Sequence, residues 1–143
     1  MNETIRRFGY PETLVAEYEH WLILLRPAQP TLGSLILAAK GEATAFSQLT
    51  PEAFAELSVA IGHIEARLAA AVGYAKINYL MLMMVDPNAH FHVIPRYEGT
   101  RSACGLTIAD AGWPKVPALG EAQALDEAQT AAMVEWLKDY WPA

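Results

Sequence analysis

The stretch that decides how this chain is read is His90-Phe91-His92-Val93-Ile94-Pro95-Arg96, with Asn88 two residues before it. Side chains alternate between the two faces of an extended strand. Asn88, His90 and His92 therefore share one face if the extension begins by residue 88, and Phe91 and Val93 turn to the other face for packing. Pro95 has no N–H to give a ladder and ends the strand; Arg96 follows as a fixed positive charge. Two imidazoles and an amide thus form a polar cluster in an apolar neighbourhood. Two uses are open to them. A neutral imidazole nitrogen can attack phosphorus and form a phosphoramidate that water then cleaves. Its neighbour, titrating near ~6.5, can hold a tautomer or pass a proton. Alternatively the pair can ligate a metal with Asp86 as third ligand. No fourth ligand is evident nearby, because His20 and His63 are distant in the sequence.

The elements around this strand follow from pattern and punctuation. Thr13 to Tyr18 and Trp21 to Arg26 read as strands. Pro27-Ala28-Gln29-Pro30 interrupts them, Gly33 ends the turn, and Ser34 to Ala39 is the next apolar run. A long helix starts at the Thr50 cap with Pro51 in its first position and stops at Gly73. Phe54, Leu57, Ile61, Ile64 and Leu68 form its apolar face, and His63 lies on its surface. Lys76 to Val85 is apolar on both faces, which predicts a central strand, and Asp86-Pro87 makes a bend. Glu98 to Gln123, with its Gly and Pro residues, reads as a long loop. A last helix starts at Asp126, with Gln129 placed for a capping box. This order predicts an α+β fold, with helices packed on a mainly antiparallel sheet.

Bulk properties narrow the function. A chain of 143 residues, 53% of them hydrophobic, suits one domain with a real core. Its formal net charge of −6 argues against a general nucleic-acid binder, which needs a basic stripe. A small anionic ligand remains compatible, since backbone N–H groups and one or two arginines suffice to hold a phosphate. Cys104 is the single cysteine, so no internal disulfide forms. Met1 to Tyr10 does not look like a signal peptide, and Tyr79 to Val85 is far too short to span a bilayer. The expectation is a cytoplasmic protein without membrane contact.

The run from His90 to Arg96 resembles the end of the histidine-triad (HIT) signature, His-x-His-x-His-x-x, often continued as Pro-Arg. Gly33-Ser34-Leu35-Ile36-Leu37 is similar to the strand that this family opens with Gly-His. Phe46-Ser47-Gln48-Leu49-Thr50 is similar to its helix entry, and Lys76-Ile77-Asn78-Tyr79 to the strand feeding the motif. Residues 13–98 carry the likeness; 99–143 are a loop and the last helix. The resemblance implies a HIT-like sheet of about five antiparallel strands with two main helices, paired into a homodimer. It also implies nucleotide hydrolase or nucleotidyl-transferase chemistry, as in dinucleoside polyphosphate hydrolases and nucleoside phosphoramidases. Separately, the residues lead us to expect neither a cofactor nor a resident metal. His90 then corresponds to the nucleophile and His92 to the last histidine, which supports phosphate binding and proton transfer. Asn88 stands where the family has its first histidine, which orients the nucleophile. Arg96, Asn78 and Ser34 are the candidate substrate-binding residues; Ser34 replaces a frequent histidine. The apolar Met83-Met84-Val85-Asp86-Pro87 replaces a polar loop. Asn88 and this segment motivate a second expectation, a nucleotide-binding module with little catalysis; a metal-binding protein using the histidine pair is the third.

Overall fold

Continuous apolar runs at residues 21–25 and 35–39 demand cover on both sides, and the fold supplies it. The computed structural model describes residues 1–141. In chain order the elements are α1 (Glu3–Arg7), β1 (Leu14–Glu17), β2 (Trp21–Leu25), β3 (Ala28–Gln29), β4 (Leu35–Ala39), α2 (Pro51–Val72), β5 (Lys76–Leu80), β6 (His90–Arg96), β7 (Thr100–Ala103), β8 (Leu106–Ala109), β9 (Gln123–Ala124) and α3 (Glu127–Lys138). Five strands form an antiparallel sheet in the order β1-β2-β4-β6-β5. With α2 and α3 as its main helices, this is the α+β architecture expected from the sequence.

The two faces of the sheet are buried differently. Trp21, Ile23, Leu25, Leu35, Leu37 and Val93 pack against Leu57, Ala60, Ile64 and Leu68 of α2. Leu22, Leu24, Ile36 and Ala38 face the other way and are covered by Ile5 of α1 and by Phe8. The register pairs Ile36 with His92 and Ala38 with His90, so both imidazoles lie on the α1 side. Period-two alternation thus separates the histidines from the main core.

Thr50 caps α2 by accepting the Ala53 N–H at 3.1 Å, Pro51 occupies the first turn, and Gly73 closes the helix at φ 65°. Its buried face runs through Ala53, Leu57, Ala60, Ile64, Leu68 and Val72. Phe54, expected on that face, is instead 40% exposed. The small Ala53 and Ala60 let the helix approach closely, and the Trp21 indole donates to the Ala53 carbonyl at 2.8 Å. His63, expected on the surface, is half-buried and hydrogen-bonded to the Tyr18 hydroxyl at 2.8 Å.

Two further expectations are corrected. The strand read as central, Lys76 to Val85, is the edge strand β5 and ends at Leu80. Its apolar residues Ile77 and Tyr79 pack toward the α2 core, so one covered face, not two, explains the composition. Met83 then takes a φ of 49°, which breaks the extended path. The segment read as a loop, Glu98 to Gln123, contains the β7–β8 hairpin. Cys104 and Gly105, at φ 53° and 74°, make the tight turn with two positive φ angles that suits hairpin twist. Leu106 and Ile108 alternate inward. The sequence also gave no warning of α1 or of the short β3–β9 pair. Among the described residues no helix is long and apolar enough to cross a membrane.

Gly33 fixes the entry to β4. It sits at φ +88°, and an added Cβ would lie 2.8 Å from Val72 Cγ2. Gly33→Ala is expected to destabilise the protein by about 1–3 kcal/mol. The measurement is a lowered urea midpoint at unchanged slope.

Candidate active site

The site is built where β6 begins. His90 Nδ1 lies 2.7 Å from the main-chain carbonyl oxygen of Asn88. A carbonyl only accepts, so Nδ1 carries the ring proton and Nε2 keeps its lone pair. The sequence placed the orienting group on the Asn88 side chain; the acceptor is its backbone. The Asn88 side chain turns to α1, where Oδ1 accepts from the Thr4 hydroxyl at 3.0 Å and the Thr4 N–H at 3.3 Å. The Asn88 N–H donates back to the Thr4 hydroxyl oxygen at 3.0 Å.

Helix α1 is itself tied down by Asn2. Its Oδ1 caps the helix through the Ile5 N–H at 2.9 Å, and its Nδ2 donates to the carbonyls of Ala39 and Gly41 at 2.9 and 2.8 Å. The chain leaves α1 at Phe8. The Phe8 ring packs against both imidazoles, with centroids 5.4 Å from His90 and 5.8 Å from His92. The two imidazoles are 5.1 Å apart.

His92 is set by Arg26, the residue that follows β2. Arg26 Nε donates to His92 Nδ1 at 3.3 Å. A guanidinium has no acceptor, so the His92 proton sits on Nε2. Burial first, then the Arg26 charge and His90, lower the His92 pKa to about 4, with Asp86 acting weakly the other way. His92 is therefore neutral at neutral pH and presents Nε2–H as a donor. The sequence missed Arg26 because its only signal was a lone arginine closing an apolar strand before Pro27.

Leu82, Met83, Met84, Val85 and Asp86 enclose with the two imidazoles a pocket of ≈ 170 Å³. Arg7 of α1 grips this segment, donating to the Val85 carbonyl at 3.2 Å and to Asp86 Oδ1 at 3.5 Å.

Arg96 and Asn78 form a separate cluster on the same sheet face. Arg96 lies four residues beyond His92, roughly 13 Å along the strand, with fully buried Ile94 between them. Its Nε and Nη2 donate to the Asp110 carboxylate at 2.7 and 3.0 Å, and Nη1 donates to Asn78 Oδ1 at 2.8 Å. Asp110 also accepts from the Tyr97 and Gly112 N–H groups. Arg96 and Asn78 line a larger groove of ≈ 720 Å³ between β5 and Trp113-Pro114-Lys115-Val116-Pro117. Ser34 is fully buried, and its hydroxyl is bonded to Thr31. The structure thus brings together His90, His92 and the Asn88 carbonyl, and sets Arg96, Asn78 and Ser34 elsewhere.

The metal reading of the histidine pair is not assembled. Among the described residues His90, His92 and Asp86 do not bring three ligand atoms within 4.8 Å of one another; only Glu19, His20 and Glu56 do. There the Glu56 carboxylate accepts the N–H groups of His20 and Glu19 at 2.6 and 3.2 Å, so it caps the β1–β2 turn.

Neither a scan against protein-family models nor a search of curated proteins gives a match. Solved structures do match. A histidine triad protein from Sinorhizobium meliloti 1021 shares 24% identity, with 98% of this chain and 95% of that chain covered at a TM-score of 0.74. One from Marinobacter aquaeolei VT8 shares 21%, covering 98% and 93%, at 0.73. A hypothetical histidine triad nucleotide-binding protein from Sulfolobus tokodaii strain7 shares 16%, covering 96% and 88%, at 0.71. The chain has the histidine-triad fold.

The His92 environment has a pH signature. Its folded pKa, about 4, lies below the ordinary ~6.5, so the unfolded chain binds this proton first. The His92 contribution to stability is present above pH ~6.5 and is lost as pH falls through about 4. Imidazole NMR is expected to show His92 neutral down to that pH. The wild type should also lose stability to urea relative to His92→Gln over this window, with a constant difference above pH ~7.

Proposed function

We propose that the protein is a histidine-triad hydrolase or nucleotidyl transferase that cleaves a phosphoanhydride or phosphoramidate bond at a nucleotide phosphate, with His90 Nε2 as nucleophile. The observation that carries this reading is the 2.7 Å bond from His90 Nδ1 to the Asn88 carbonyl. It leaves the lone pair on Nε2, and it stabilises the positive charge that the ring gains when Nε2 bonds to phosphorus.

Nε2 attacks phosphorus, the N–P bond forms, and the bond to the leaving group breaks with its electron pair on the departing atom. A phosphate leaving group departs as an anion; an amine takes a proton from solvent. His92 donates Nε2–H to a phosphoryl oxygen as charge develops there. Water then attacks phosphorus and gives up a proton, the N–P bond breaks, and Nε2 recovers its lone pair. The nucleotide assignment is supported by the fold shared with structures that include a hypothetical histidine triad nucleotide-binding protein. A second copy of the chain is the proposed partner. The outer edge of β5 has no strand neighbour among the described residues and is the natural place for one.

One observation favours a second reading, nucleotide binding without turnover. The pocket at the imidazoles is walled by the apolar Met83 and Met84, side chains that offer no hydrogen-bond donor to the charge a phosphoryl group develops during transfer.

Purified protein is expected to release a nucleoside monophosphate from a dinucleoside polyphosphate or a nucleoside phosphoramidate. His90→Ala should lower turnover by about 10³-fold or more. Turnover unchanged in that variant would remove the nucleophile assignment. Calorimetric nucleotide binding without any turnover in the wild type would establish the second reading.

A further inference from the structure

Two arginines carried by the sheet strands or their ends project to the α1 side, and only one has binding capacity to spare. Arg96 is 4% exposed, with its charge matched by Asp110 and every guanidinium nitrogen engaged by Asp110 or Asn78. Arg26 differs on each count. Among the described residues it forms no ion pair. Its Nε is on His92 Nδ1 and its Nη1 on the Ala28 carbonyl. Nη2 makes no hydrogen bond among the described residues, yet it is not among the sealed polar atoms, so solvent reaches it. A half-buried cation without a counter-charge is costly unless an anion joins it.

Arg26 is also rigidly placed. Its N–H donates to the Ser34 carbonyl at 3.0 Å. Its own carbonyl accepts from Gln29 Nε2 at 2.7 Å. Gln29 is fully buried and spends its remaining capacity on the Ser34 carbonyl and the N–H groups of Gly33 and Ser34. Pro27 follows with its fixed φ. The guanidinium therefore meets a ligand without first having to be ordered.

We propose that Arg26 is the anion-binding cation of this site and the residue that positions His92: Nε holds the imidazole while Nη2 takes an oxygen of a ligand phosphate. The planar guanidinium makes the two acts compatible. Nε–H and Nη2–H lie on one edge and point the same way, and Arg96 uses that same edge to clasp Asp110. With Nε committed to His92, Nη2–H points to the same side, beside the His92 ring. The ligand class is a phosphate or polyphosphate; an unphosphorylated nucleoside gains nothing from this cation. The charged and titratable groups facing His92 are Arg26, His90 and Asp86, and Arg7 of α1 draws Asp86 toward itself. The proposal deepens the reading of His90 as nucleophile and rests on it only for the location of the reacting phosphorus.

The test uses the full chain with two probes, inorganic pyrophosphate and adenosine monophosphate, and adenosine as control, by calorimetry. Arg26→Gln is expected to weaken both phosphate probes by about tenfold or more, the loss of one charged hydrogen bond, and to leave adenosine unchanged. Arg26→Lys keeps the charge without the two-donor edge and should lie between; it carries the test if Arg26→Gln does not fold. Imidazole nitrogen NMR gives a readout that a merely structural role does not move. His92 should be the Nε2–H tautomer in the wild type and a mixture of tautomers with a raised pKa in Arg26→Gln. Arg96→Gln should lower thermal stability and leave phosphate affinity of the folded fraction unchanged. Phosphate binding that survives Arg26→Gln and Arg26→Lys, or a wild type that binds neither phosphate probe, would overturn the proposal. A wild type that binds phosphate through Arg26 but turns nothing over would overturn the hydrolase reading and leave this one standing.

Discussion

The hydrogen bond between His90 Nδ1 and the Asn88 carbonyl is the constraint on which the site depends. It is made two residues back along the same chain, so it needs no side chain from any other element. It determines which nitrogen of His90 is free, and it does so with a group that cannot titrate. Because the backbone does this work, the Asn88 side chain is released for another task. Its bonds with Thr4 anchor the first helix over the sheet face that carries the histidines. One residue thus leaves His90 Nε2 free with its main chain and, through Thr4, fastens the helix that covers the ring with its side chain.

That enclosure makes the site more apolar than its histidines suggest. Phe8 lies against both rings, and Met83 and Met84 wall the space in front of them. In such surroundings the neutral form of His92 is favoured, and Arg26 reinforces the preference. The His92 ring is held by the Arg26 guanidinium and the His90 ring by a backbone carbonyl. Met83, held at a positive φ that its side chain disfavours, marks where the chain is bent to close over the rings.

Much of this was legible in the sequence, because period-two alternation is a local property. The face shared by His90 and His92, the cap at Thr50, the capping box at Asp126 and the succession of strands follow from neighbours close in the chain, and the structure has them. What could not be read depends on partners far away. Lys76 to Leu80 looks central until its pairing is known; a half-buried edge strand and a fully buried one differ little in composition. Arg26 reaches His92 across 66 positions of sequence, and nothing near Arg26 announces that contact. Arg96 sits beside the motif and invites a role there, yet its charge is absorbed by Asp110 from the far side of a hairpin. The α2 face was misjudged by one step because the alanines that define it carry a weak hydrophobic signal.

Strand β6 carries His90, His92 and Arg96 on one side and Phe91 and Val93 on the other, and each set has its own fixed surroundings. Substitution can adjust these positions singly. A change of length between Asn88 and Arg96 cannot, because a shift of one residue exchanges the two sides. It would turn the imidazoles into the α2 core and strip Asp110 of its partner in the same event. Replacing a side chain along the strand leaves this register intact, whereas inserting or deleting one residue does not.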